Sequence, residues 1–139
     1  MHIEELKFYT DKLKIILNSN PDLSYKWNEN SPSAAQVFYH TFQAIKYWLG
    51  ELILEIPSHR NRDDEFEETH SLIEIQAALS ECEMLISKYQ NAEVEIQKSI
   101  NVLVQNNPSR EKAWTVLDGL IHITAHTAEH YGQLKYLAK

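Results

Sequence analysis

"LIHITAHTAEHYGQLKYL", residues 120–137, sets apolar residues and histidines on one helical repeat. At about 100° per residue, Val116, Leu120, Ile123, Leu134 and Leu137 gather on a single arc of a helix. His122, His126 and His130 follow at four-residue steps, a row that slants about 40° per step around the axis. His130 falls nearest the apolar arc, His126 on its flank and His122 at its edge. The arc predicts a helix with one side buried against other helices. The row raises the question of a bound metal ion, because two histidines at i and i+4 can share one. All three cannot: residues 122 and 130 lie about 12 Å apart along the axis, while ligand nitrogens around an ion sit within about 4 Å of one another. Burial favours His126 with His130.

Working outward, three more segments carry helical periodicity. The first runs from about Ile3 to Leu17, with Ile3, Leu6, Thr10, Leu13 and Leu17 on one stripe. "NSNPDLSYKWNENSP" interrupts it with turn formers. The second helix is expected to begin near Ser33, which has capping-box spacing to Gln36, and to end before Pro57. "PSHRNRDDEFEETH" reads as a charged connection, with "DDEFEE" a solvated loop that Arg60 and Arg62 could fix by ion pairs. Ser71 and Glu74 repeat the capping-box spacing and open a third helix carrying Leu72, Ile75, Leu79, Cys82, Ile86 and Tyr89. "NNPS" is expected to end that helix, and the fourth to start near Ser109 or Arg110.

Four such segments in 139 residues, with three Gly and four Pro, predict one all-α domain over residues 1–139, a four-helix bundle. The connection between the second and third helices, some 14 residues, can span about 45 Å at ~3.3 Å each. The second helix would be only about 36 Å long, so these two helices can run parallel. A formal net charge of −7 argues against nucleic acid and against an anionic membrane surface as partners. Cys82 is the single cysteine, so no disulfide within the chain is possible. The first residues are too charged for a signal peptide and no apolar run is long enough for a membrane span, which makes the cytoplasm the expected compartment.

A third metal ligand must come from elsewhere in the chain. His2 lies at the terminus, and His59 and His70 fall in the charged connection. Only His40 is mid-helix. It lies off the arc of Phe38, Ile45, Leu49 and Leu52, on a mixed face with Val37, Ala44, Tyr47, Trp48 and Glu51 suited to lining a pocket. Facing helices of a bundle build metal sites in this way, so His40, His126 and His130 are the expected ligands, with coordination positions left open.

These stretches resemble the DinB-like (YfiT-like) superfamily. "LIHITAHTAEHYGQLKYL" is similar to its last-helix signature, a His-x-x-x-His pair followed by Gly-Gln. "SPSAAQVFYHTFQAIKYWLGE" resembles its second-helix signature, and "RNRDDEF" is similar to an Arg-x-Arg-x-x-Glu-Phe stretch of one branch. The resemblance implies an up-down-down-up bundle, commonly a homodimer, with a divalent metal on His40, His126 and His130. Tyr131 departs from the Arg that many members carry there, which leaves the metal triad intact but takes away the basis for any anionic-substrate contact which that Arg would make. Some members are transferases or isomerases using low-molecular-weight thiols, and others are described only as metal-dependent hydrolases.

The expected function is therefore activation of a small thiol or water, for attack on a small-molecule substrate, by zinc, nickel, iron or manganese. This is thiol S-transferase or hydrolase chemistry. Three neutral imidazoles leave the ion its full positive charge, which drives such deprotonation. The alternative is a non-catalytic, metal-stabilised dimer acting as a stress or regulatory binding protein. Tyr47, Trp48 and Glu51 are candidates for the pocket mouth, with ordinary core and rim packing as the competing reading. His122 either orients a ligand from behind or faces water, and Cys82 reads as a core residue with a fourth-ligand role as the alternative.

Overall fold

The computed structural model describes residues 2–102 and 114–138. Helix α1 spans His2–Asn18. Helix α2 spans Ala34–Ile45 and continues through a wider, π-helical stretch, Lys46–Ile53. A short helix α3, Arg62–Glu67, precedes α4, Leu72–Asn91. Strands β1 (Ser99–Ile100) and β2 (Trp114–Thr115) pair antiparallel, and α5 spans Val116–Leu134 with a 3-10 turn, Lys135–Ala138, behind it.

Most positions of the stripes read from the sequence are buried; on α4, Ile75, Leu79, Cys82 and Ile86 face inward while Leu72, expected on that stripe, is exposed. On α1, Ile3, Leu6, Thr10, Leu13, Ile16 and Leu17 face inward; on α5, Val116, Leu120, Ile123 and Leu134 do. Ser33 closes both halves of its capping box with Gln36, whereas Ser71 supplies the cap to the Glu74 amide. The π stretch changes one position. Leu54 N–H bonds to Leu49 O, five residues back, at 3.0 Å. The wider turn adds about one residue to the repeat, so Ile53 is buried where Leu52 was expected.

Side-chain contacts fix the helix directions. Tyr39 stacks on His70 near the starts of α2 and α4, and farther along Gly50 meets the Leu85 side chain, so these helices run parallel. His40 meets His126 and His130, while Gly119, early in α5, lies beside Ile53 late in α2, so α2 and α5 are antiparallel. Lys14 pairs with Glu83 at 3.0 Å, and residues 7–11 line a groove with residues 83–90, which sets α1 against the direction of α4. With α1 packed on both α4 and α5, the order is up-down-down-up. No described helix is long and apolar enough to cross a membrane.

Two boundaries and one connection differ from expectation. The third long helix ends at Asn91, where Ala92 turns extended (ψ 150°), well before "NNPS", which lies outside the described residues. Ser109 and Arg110 also lie outside them; α5 begins later, at Val116, with Thr115 and Asp118 forming its capping box. Backbone bonds of the chain before it, Val116 N–H to Lys98 O (2.8 Å) and Leu117 N–H to Ile96 O (2.9 Å), hold this start, a non-local pairing invisible to helical periodicity. The charged connection is not wholly a solvated loop. Asn61 caps α3 through the Asp63 amide, and α3 carries Glu65 into the interior at 0% exposure.

Candidate metal centre

Two helices supply the imidazoles. His40 sits two turns into α2; His126 and His130 sit one turn apart on α5. The antiparallel crossing brings them together: His40 Nε2 is 3.0 Å from His126 Nε2. The ring of His130 lies 5.1 Å from that of His40 and 4.5 Å from that of His126, centroid to centroid. One ring nitrogen from each of the three falls within 4.8 Å of the others.

The outer nitrogens decide whether this set suits a cation. His40 Nδ1 is 2.7 Å from Glu65 Oε1, and His130 Nδ1 is 3.0 Å from Gln133 Oε1. Each partner oxygen accepts a proton from Nδ1, which leaves Nε2 of both rings with a lone pair to offer. His126 Nδ1 is buried without a hydrogen-bond partner among the described residues. A metal-binding histidine ordinarily has its second nitrogen held by an acceptor, so two of the three rings are braced as ligands and the third presents its Nε2 to the same point. The donor set fits a divalent ion.

Electrostatics point the same way. Burial, helped by neighbouring His130 and His40, pushes His126 down to about 3. Burial also lowers His130, against the pull of Gln133, and lowers His122. Neutral rings are the form that binds metal. The unfolded chain titrates these rings near ~6.5, so between that value and the depressed folded one it binds a proton that the folded protein refuses. The stability carried by neutral His126 is complete above about pH 6.5 and drains as pH falls toward about 3. Urea midpoints of the metal-free protein are expected to drop across that window, and to drop less in His126→Gln. Parallel curves for the two proteins would count against a buried neutral ring.

Glu65 is the residue that sequence reading missed. Burial pushes its carboxyl up, but hydrogen bonds from Arg60 and His40 outweigh this and hold it below the usual carboxylate range. Arg60 grips it through Nε to Oε2 at 2.6 Å and Nη2 to Oε1 at 2.9 Å. The available signals were the Arg-x-Arg-x-x-Glu-Phe stretch, whose first Arg is Arg60 and whose Glu is Glu65, and Asn61 ahead of an acidic first turn, a cap pattern. His70 was likewise expected only as part of the charged connection. It is 8% exposed, stacked on Tyr39, and bonded to Asp64 O at 2.8 Å.

The expected pocket residues divide. Trp48 and His122 lie ring to ring at 4.3 Å, with Trp114 5.5 Å from Trp48, and His122 stacks toward His126 at 6.5 Å. This aromatic group borders the triad. Tyr47 and Glu51 line a cavity of about 380 Å³ with Lys98, Ser99 and Ile100, and the Arg60 guanidinium that grips Glu65 lies 5.7 Å from the Tyr47 ring. Glu51 accepts from the Ser58 amide and hydroxyl at 3.2 and 3.3 Å, closing the turn after α2. Cys82 is buried in the core and donates to Phe42 O, with burial pushing its thiol up, and it stands outside the histidine group. Tyr131 packs on Tyr9 of α1.

The DinB family model matches residues 13–139. The chain belongs to the DinB family. Among curated proteins and solved structures no significant match is found. The DinB-family match spans both helices that carry the triad as well as the α3 segment that carries Glu65.

Proposed function

We propose that this DinB-family protein holds a divalent metal ion on His40, His126 and His130 and uses it to activate a small thiol or water against a small electrophile, as a thiol S-transferase or hydrolase. The convergence of three imidazole nitrogens within 4.8 Å, from two helices far apart in sequence, is the observation that carries this reading. When bound, such an ion supplies Lewis acidity that makes a water or thiol nucleophilic near neutral pH. The chain's own residues prepare that chemistry. Burial keeps His126 and His130 neutral and available as ligands at ordinary pH. Phe66 lies 4.8 Å from the His40 ring, and Trp48 packs on His122, the ring one turn before His126. These would shed water from a small substrate and strengthen local electrostatics. Imidazole suits zinc, nickel and iron, with manganese the poorer match because it prefers oxygen ligands, and availability then selects among them.

Metal analysis of the purified protein tests the first half. About one ion per chain is expected, with affinity falling more than about 100-fold in His40→Ala, beyond the range found for residues that only support a ligand. Equal metal content in the variant would remove the triad. Turnover of a chromogenic electrophile with a panel of small thiols, and without thiol, tests the second half. Stoichiometric metal with no metal-dependent turnover would point instead to a metal-stabilised binding protein.

A further inference from the structure

Helix α3 is six residues long, and Glu65 is its single buried residue. Isolated helices of that length are unstable in water, so this one is held by its surroundings. The Gln36 amide that completes the α2 capping box also donates to Phe66 O at 2.7 Å and Glu68 O at 3.2 Å. His70 Nε2 binds Asp64 O at 2.8 Å. The braces deliver one carboxylate, with no exposed surface, to the back of His40. The side chain of Arg60 that grips it is 8% exposed. A buried ion pair contributes little net stability compared with apolar residues of the same volume, so packing alone does not account for it.

The hydrogen-bond chemistry is directional. A carboxylate accepts only and a guanidinium donates only. Nδ1 of His40 lies 2.7 Å from Glu65 Oε1 but 3.5 Å from Arg60 Nη2, and the shorter contact to the acceptor decides that Nδ1 carries the proton. The lone pair is then on Nε2, the nitrogen 3.0 Å from His126 Nε2. We infer that Glu65 is a positioning residue: clamped by Arg60, it holds the proton on His40 Nδ1 and so turns the Nε2 lone pair toward the metal position. This rests on the metal-centre reading above, and it makes α3 a part of the site rather than a linker.

Nitrogen NMR of the metal-free protein at about pH 8, well above the ordinary histidine value, reads the tautomer directly. His40 is expected as the Nδ1–H form in the wild type and in Glu65→Asp, which keeps an acceptor-only side chain. In Glu65→Ala it is expected to populate both forms. Zinc affinity should fall about 10- to 100-fold in Glu65→Ala and less than about tenfold in Glu65→Asp. A merely structural role would lower stability in the variants and leave the tautomer unmoved. Wild-type His40 protonated on Nε2, or Glu65→Ala binding zinc as tightly as the wild type, would overturn the assignment. Should Glu65→Ala not fold, the wild-type tautomer decides alone. Failure of the wild type to bind zinc would reject the metal centre, while the tautomer still answers for Glu65.

Discussion

Arg60→Ala is expected to cost about 3–5 kcal/mol of folding stability, the range found when one partner of a buried ion pair is removed. Both groups are out of water: Glu65 has no exposed surface and the Arg60 side chain is 8% exposed. The variant would leave the carboxylate with His40 as its remaining hydrogen-bond donor in place of two donors from Arg60. Its proton affinity would therefore rise. In the wild type the carboxyl is held low, so its contribution to stability is present above the unfolded value near ~4.3 and lost as pH falls through the folded one. The penalty of Arg60→Ala should accordingly shrink in acid, where the orphaned carboxyl takes up a proton. Adding Glu65→Gln to Arg60→Ala removes the stranded charge and should recover part of the loss. Urea unfolding of the two single variants and the double, at neutral and acid pH, gives the cycle. A neutral-pH loss below about 1 kcal/mol, the level of an exposed ion pair, would mean that solvent reaches this carboxylate.

Phe38→Ala should cost about 3–5 kcal/mol for a different reason, through the cavity left by a large core side chain. Phe38 has 0% exposure and packs 6.3 Å from the Phe42 ring, centroid to centroid. It stands two residues before His40, about 200° away around α2, so it faces the core while His40 faces α5. Stability and metal binding are thus separable on one helix. The unfolding midpoint should fall steeply, while zinc affinity of the folded protein stays within about tenfold of wild type. A parallel collapse of affinity would show that the triad's geometry depends on core packing on the far side of α2.

Local periodicity explains how much could be read in advance. Leu6, Leu13, Val116, Leu120 and Ile123 recur at helical steps, and each is buried as its step requires. Ser33 and Gln36 carry their capping signal in four residues. His126 and His130 are neighbours on any helix that contains them, and His40 stood out as the mid-helix histidine left to meet them. Ile53 replaced Leu52 because a π turn has no marked signature in apolar spacing. The end of α4 at Asn91 and the pairing of Ser99 with Thr115 depend on partners distant in sequence. Tyr47 and Glu51 share a helix face with His40, and residues 98–101, distant in sequence, complete a cavity beside them.

Which side of each helix is wet and which is dry follows from the sequence, because side-chain spacing and helical pitch are both local. The four long helices, the caps at Ser33 and Ser71 and the candidate ligands were therefore written in the chain. Whether a charged side chain lies in water or inside is a different kind of fact. Glu65 looks like any member of an acidic run until Gln36, His70 and Arg60, from three separate places, fold it inward. Desolvation and pairing energies arise only from that assembled environment, so only the tertiary structure could turn a loop glutamate into the support of His40.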